Sequence, residues 1–235
     1  MRWTTARRLG EPTDCPTGHR QRLLRLPGVY PPQSDSFLLA GALGCEPMNA
    51  HTRVADVGAG TGLLSVSAGL AGADSVTAVD IDRRSLLNTR LNAVLNGVRV
   101  QVVRGNLLQP LRGKLFDVVV SNPPYVPSAD DDQRGRGLAR CWDAGHDGRA
   151  YLDRICRDAP DVLASGGVLL LVQSALCGTG LTRTLLEQQG LDVDIVATAS
   201  IPFGPVLTER AAMLRERGLV GNEDREEIVV IRAVK

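Results

Sequence analysis

Aromatic side chains are scarce: 3% of 235 residues, as two Trp, three Tyr and three Phe. The core therefore has to be aliphatic, and Val, Leu and Ala beside 25 Gly suit a buried parallel sheet covered by helices. Cysteine offers no framework either. Cys15, Cys45, Cys141, Cys156 and Cys177 are scattered, odd in number and without a Cys-x-x-Cys pair, which excludes a zinc ribbon or a disulfide scaffold and fits a reducing compartment. His19, His51 and His146 are equally isolated, so no metal site is expected. No apolar run reaches transmembrane length. Met1 to Leu26 has arginines but no apolar signal-peptide segment, and a cytoplasmic location is the expectation. A net charge of +1 argues against a dedicated nucleic-acid coat, although a local patch stays open.

The length suits one domain with a short appendage. Residues 1–28 carry six arginines against two acids, broken by Pro and Gly, and read as a basic, irregular N-terminal extension. It is either a solvated terminus or an arm for an acidic partner such as RNA. The domain proper is expected over 29–235. Val29-Tyr30-Pro31-Pro32 leads into an apolar helix from Phe37 to Leu43, with Ser34, Asp35 or Ser36 as its cap.

Arg53–Val57 reads as the first buried strand, Gly58-Ala59-Gly60-Thr61-Gly62 follows at once, and Leu63–Leu70 reads as a helix. Glycines there let the backbone pass close to a ligand, and the helix start offers unpaired N–H groups. The second strand, Val76–Val79, ends in Asp80-Ile81-Asp82, where an acid can accept bonds from ribose hydroxyls. The pattern indicates a nucleoside-containing cofactor: NAD, FAD or S-adenosylmethionine. Leu63 stands where a dinucleotide motif needs its last glycine, which favours S-adenosylmethionine. Arg83–Asn96 has helical spacing with Leu87, Leu91, Val94 and Leu95 as its apolar face. A third strand, Val98–Val103, precedes Asn106-Leu107, where Asn106 is either a turn residue or a partner for an adenine amino group.

A fourth strand, Leu115–Val120, runs into Ser121-Asn122-Pro123-Pro124-Tyr125. Two prolines cannot continue a ladder, because each lacks an N–H and fixes φ. Asn122 and Tyr125 are thus presented on a stiff bend at the C-terminal edge of the sheet, where open α/β sheets bind ligands. The following loop holds Asp130–Asp132, then Arg134, Arg136 and Arg140; three aspartates there would repel a phosphate backbone and tolerate a basic peptide. Beyond it come a helix over 150–163, a turn at Gly166-Gly167, a fifth strand Val168–Val172, a helix over 179–189, a sixth strand Leu191–Ala197, a charged helical stretch within 202–219 and a last strand Glu227–Val234.

In this order, the glycine loop, Asp80 and Asn-Pro-Pro-Tyr resemble a class I S-adenosylmethionine-dependent methyltransferase. Within that class the chain resembles the short HemK-related branch of glutamine methyltransferases. Three further segments carry the likeness: Tyr30 with Asp35-Ser36-Phe37-Leu38-Leu39, Trp142…Gly145…Asp147-Gly148-Arg149, and Arg225–Arg232. Asn106 departs from the Asp usual there, and Ser34 from the Glu usual in the short branch. The resemblance implies an α/β fold: a single Rossmann-like domain with a seven-stranded, mostly parallel sheet, helices on both faces and an antiparallel last strand. It implies transfer of methyl to a planar nitrogen, of a release-factor glutamine or of adenine or guanine in nucleic acid. A non-catalytic cofactor-binding subunit is the remaining alternative. It also implies a protein substrate and, for some relatives, a small zinc-containing activator. The site residues it implies are Tyr30, Asp35, Ser36, Asp56, Gly58, Ala59, Gly60, Gly62, Asp80, Ile81, Asn106, Leu107 and Asn122 for the cofactor. Asn122, Pro123, Pro124, Tyr125 and Trp142 would meet the substrate, with Asn122, Pro123 and Tyr125 catalytic.

Overall fold

The computed structural model describes residues 21–129 and 137–235. The basic extension to residue 20, Asp130–Asp132, Arg134 and Arg136 lie outside the described residues. The chain runs through helix α1 (Ser34–Leu43), strand β1 (Arg53–Val57), α2 (Leu63–Leu70), β2 (Ser75–Asp80), α3 (Arg83–Leu95), β3 (Val100–Arg104) and β4 (Phe116–Ser121). It continues through α4 (Leu152–Asp158), β5 (Leu163–Ser174), α5 (Thr179–Gln188), β6 (Asp192–Pro202), α6 (Pro205–Glu216) and β7 (Arg225–Val234).

The strands form one seven-stranded sheet in the order β3-β2-β1-β4-β5-β7-β6. β1 to β5 are mutually parallel, and β7 runs antiparallel to both neighbours. The order reverses between β1 and β4. Right-handed crossovers then place α2 and α3 on one face and α4 on the other, where it pairs with α5. A sheet covered on both sides needs strands apolar on both sides. Val54, Ala55, Val57, Val119, Val120 and Leu169–Val172 meet that need, and all are fully buried.

The structure corrects several local expectations. α1 starts at Ser34 with Gln33 as its cap, so Asp35 and Ser36 fall in the first turn. α4 stops at Asp158, because Pro160 opens a separate 3-10 turn. β5 begins at Leu163, and Gly166-Gly167 lie in a bulge against β4, not ahead of the strand; a Cβ on Gly167 would stand 3.0 Å from the Phe116 carbonyl oxygen. The largest correction concerns α3. Leu87, Leu91, Val94 and Leu95 face outward, Val94 with 74% of its surface exposed. Ser85, Leu86, Asn88, Thr89, Asn92 and Ala93 are buried instead. The helix packs by its polar face because that face meets backbone, as described below. Among the described residues no helix is long and apolar enough to cross a membrane.

Candidate active site

The end of β1 and the end of β4 lie side by side, with Val57 opposite Ser121. The Ser121 hydroxyl donates to the Val57 carbonyl at 2.8 Å and ties the two exits together. The glycine loop leaves from one and the Asn122–Tyr125 bend from the other. A Cβ on Gly58 would stand 3.6 Å from the Asn122 carbonyl oxygen, so loop and bend lie side by side.

The glycines do different work. Gly58 and Gly60 have φ of +79° and +56°, and among the described residues the only atoms within 4 Å of a Cβ at either are backbone oxygens at 3.6 Å or more. Both therefore edge open space and leave a bare backbone for a ligand to lie against. Gly62 faces inward, since its Cβ would meet Thr89 Cα at 2.8 Å. Asp80 braces the loop: its Oδ2 accepts from Gly60 N at 3.0 Å and its Oδ1 from Asp82 N at 2.8 Å. Burial pushes its carboxyl above the ordinary value, and those N–H bonds oppose the shift. Each oxygen keeps a lone pair for a ribose hydroxyl. Ile81 is exposed beside it. Gly105 N donates to the Asp80 carbonyl, which brings the Asn106-Leu107 corner to the same end of the sheet. Leu107 holds φ +52°, a strained conformation for a non-glycine residue. Asp56 is fully buried and its Oδ2 accepts from Ser65 N and Oγ at 2.9 and 2.6 Å, so it fastens the loop to α2 from behind. Burial raises its carboxyl to about 7. Bare glycines, an acid at the ribose position and an exposed apolar residue beyond it are a donor set that fits S-adenosylmethionine.

At the bend itself, four residues form one network. Asn122 Nδ2 donates to Asp35 Oδ2 at 3.0 Å and to Ser36 Oγ at 3.1 Å. Tyr125 Oη donates to the same Asp35 Oδ2 at 2.8 Å. Asp35 Oδ1 accepts from Ser36 N at 2.6 Å. Asp35 and Ser36 thus touch the Asn122–Tyr125 bend. Tyr125 is buried, and burial, followed by the Asp35 charge, raises its hydroxyl well above the ordinary range. Pro123 is buried and Pro124 half-buried. Tyr30 packs on Trp142 with ring centroids 5.8 Å apart. Its hydroxyl is bonded to Gln33, and burial with the nearby Asp35 charge raises it to about 12.

Around the bend, Gly148, Arg149 and Glu226 fall in segments that carry the family resemblance, whereas Cys177, Arg210 and Arg217 carried no sequence signal. Gly148, at φ +76°, lies where a Cβ would be 2.3 Å from the Tyr125 carbonyl oxygen. Cys177 Sγ donates to that same oxygen. Arg149, buried next door, donates to the Cys177 and Gly178 carbonyls and to Thr182 Oγ1 and pairs with Asp153. Arg210 of α6 holds the Pro127 carbonyl, and Arg217, the C-cap of that helix, holds the Ser128 and His146 carbonyls. Glu226 is buried at the start of β7, and its Oε2 has no partner among the described residues. Burial raises its carboxyl to about 7, with the Asp35 charge adding to the shift and a Ser174 hydrogen bond opposing it. Among the described residues no group of three or more His, Cys, Asp or Glu could hold a metal ion.

Comparison with known proteins agrees with this geometry. Residues 22–135 match the family model described as the methyltransferase small domain. A candidate protein N5-glutamine methyltransferase of Methanocaldococcus jannaschii is 36% identical over 185 residues, 79% of this chain and 92% of that protein. The chain belongs to the HemK-related protein N5-glutamine methyltransferases. It is an S-adenosylmethionine-dependent N-methyltransferase. Another member, the release factor glutamine methyltransferase of Bordetella pertussis, is 34% identical over 81% of this chain and 74% of its own length. Among solved structures, the Encephalitozoon cuniculi Mtq2–Trm112 complex, described as responsible for methylating the termination factor eRF1, matches with a TM-score of 0.63 and 24% identity. That match covers 88% of this chain and 99% of that chain, and it shows the shared fold.

Proposed function

We propose that this methyltransferase modifies the side-chain amide nitrogen of glutamine in the Gly-Gly-Gln loop of a peptide-chain release factor. The observation that carries the reading is the direction of the Asn122 amide. Its nitrogen is committed to Asp35 and Ser36. Its oxygen is then the end presented as an acceptor. Donation to a carboxylate also polarises the amide and makes that oxygen more negative. The names of the M. jannaschii and B. pertussis relatives support the same substrate class.

A glutamine amide nitrogen is a weak nucleophile, because its lone pair is delocalised into the carbonyl. Asn122 Oδ1 and the Pro123 carbonyl would accept its two hydrogens and so orient the lone pair. Two consecutive prolines and the Asp35–Tyr125 bond keep those acceptors still, so little ordering remains when substrate arrives. S-adenosylmethionine supplies an electrophilic methyl on a positively charged sulfur. Gly58, Gly60, Asp80, Ile81 and Tyr30 would hold it, with Asn106 and Leu107 at the far corner, and Trp142 would meet the substrate. As the methyl carbon bonded to nitrogen, its bond to sulfur would break and the electron pair would leave on a neutral thioether; the nitrogen would then be acidic and its proton would leave to water, so no strong base is required. Catalysis rests on alignment and on exclusion of water.

As partner we propose a small zinc-containing activator protein, and as the surface that takes it the exposed Leu87, Leu91 and Val94 of α3, the helix that packs on the edge strand β3; the Mtq2–Trm112 complex supports such a pairing. The reaction belongs in the cytoplasm, where release factors act. The test is a methylation assay with methyl-labelled cofactor and three substrates in parallel: a release factor, total RNA and genomic DNA. Label mapped to the Gly-Gly-Gln glutamine is the expected result. Label on a nucleobase with none on the release factor overturns the reading.

A further inference from the structure

One face of α3, continued by its C-cap, carries a ladder of asparagines: Asn88 and Asn92 are buried and Asn96, the C-cap, is half-buried. Asn88, Asn92 and Asn96 recur every four residues, which is about 6 Å of helix rise per step. Two residues of extended chain span about 6.6 Å. The two repeats nearly match, and residues 22–26 run along the ladder in register. Leu26 N donates to Asn88 Oδ1 at 2.7 Å, Leu24 N to Asn92 Oδ1 at 2.8 Å, and Arg22 N to Asn96 Oδ1 at 2.9 Å. In return, Asn88 and Asn92 Nδ2 each donate to the Leu24 carbonyl at 2.8 Å, and Asn96 Nδ2 to the Arg22 carbonyl at 2.7 Å. Every bond goes to backbone, so the ladder holds this segment independently of its side chains. Gln21 extends the attachment to α2 through Ser67 Oγ at 2.7 Å.

The same face grips the glycine loop. Asn92 Nδ2 donates to the Thr61 carbonyl at 2.8 Å, and Thr89 Oγ1 to the Gly60 carbonyl at 3.2 Å. Asn92 therefore stands between the N-terminal segment and the loop, with its oxygen on one and its two N–H groups divided between both. If Leu24 leaves, the amide loses partners and is free to rotate away from Thr61.

We propose that residues 21–26 form a strap that preorganises the cofactor loop, with Asn92 as the positioning residue that couples the two. This rests on Gly58–Gly62 being the cofactor loop. A docked strap fixes Thr61 in advance, so less ordering is charged against cofactor binding. By linkage, bound cofactor must tighten the strap by the same factor.

The test uses the full chain, calorimetry with S-adenosylhomocysteine and amide hydrogen exchange. Leu24→Pro removes the N–H that Asn92 accepts without touching α3, and the Leu24 side chain is exposed, so little packing is lost. Leu24→Pro and Asn92→Ala should each weaken binding by about fivefold, the size of one hydrogen bond. The double variant should be no weaker than Asn92→Ala alone, and bound ligand should slow exchange of the Leu24 and Leu26 amides. Additive losses, or strap amides indifferent to ligand, overturn the proposal. Asn96→Ala, which meets the strap and the Asn92 carbonyl but not the loop, gives an independent reading if Asn92→Ala does not fold. It should weaken binding severalfold, and unchanged affinity overturns the coupling. A wild-type chain that binds no S-adenosylhomocysteine would instead sink the assignment of the loop itself.

Discussion

Asn122 Nδ2 lies 3.0 Å from Asp35 Oδ2, between residues 87 positions apart in the chain. That bond commits the nitrogen end of the Asn122 amide to α1, and in the proposed mechanism α1 would thereby orient the motif that follows β4. Asn122→Ala removes the acceptor without disturbing the glycine loop. Methyl transfer should slow by about 10²–10³, the scale of losing one preorganised polar contact to the transition state. Cofactor affinity should hold. Single-turnover rates equal to wild type would remove Asn122 from the mechanism.

Asp35 carries two donors on one oxygen, Asn122 Nδ2 and Tyr125 Oη. Tyr125→Phe deletes one of them and leaves the ring. Stability should fall by about 1 kcal/mol, as for a buried hydrogen bond. Asp35→Asn should cost more activity than Tyr125→Phe, because an amide in place of the carboxylate can no longer fix the direction of Asn122. Rates in the reverse order would contradict this hierarchy.

Asp80 braces Gly60, and in the proposed site its remaining lone pairs would meet a ribose. Asp80→Ala should weaken cofactor binding by about 1.5–3 kcal/mol, the range for a hydrogen bond to a charged group. Equal affinity by calorimetry would take Asp80 out of the cofactor site.

Gly148 supports Tyr125 by lacking a side chain. Gly148→Ala introduces both a clash with the Tyr125 carbonyl and a strained φ. A loss of about 1–3 kcal/mol in stability is expected. A fully stable, fully active variant would show that the bend can shift without consequence.

Glu226 titrates at about 7 in the fold against an ordinary value of 4.5. The folded state therefore keeps a proton that the unfolded chain has lost between those values. Its contribution makes stability fall as pH rises through that window, by at most about 1.4 kcal/mol per pH unit, and level off above 7. Asp56 adds a parallel slope from 3.8 to about 7. Glu226→Gln should flatten the decline measured by denaturant titration from pH 5 to 8. An unchanged slope would show that Glu226 does not titrate in this range.

What the sequence by itself determined is local and periodic. Strand-forming runs, the glycine loop, the double proline and the acid at the end of β2 each announce themselves within a few residues, and the sheet and its ligand edge follow from them. The outward face of α3 was not legible that way. Its leucine spacing looks like a core stripe, and only the fold reveals that Asn88 and Asn92 are buried, with Asn96 half-buried beside them, because the segment at 22–26 supplies all three with backbone partners. The direction of Asn122, the sharing of Asp35 and the contact between Gly148 and Tyr125 were decided by tertiary structure alone. Each joins atoms from separate elements, and a hydrogen bond or a missing Cβ has meaning only once packing has brought its partner within reach.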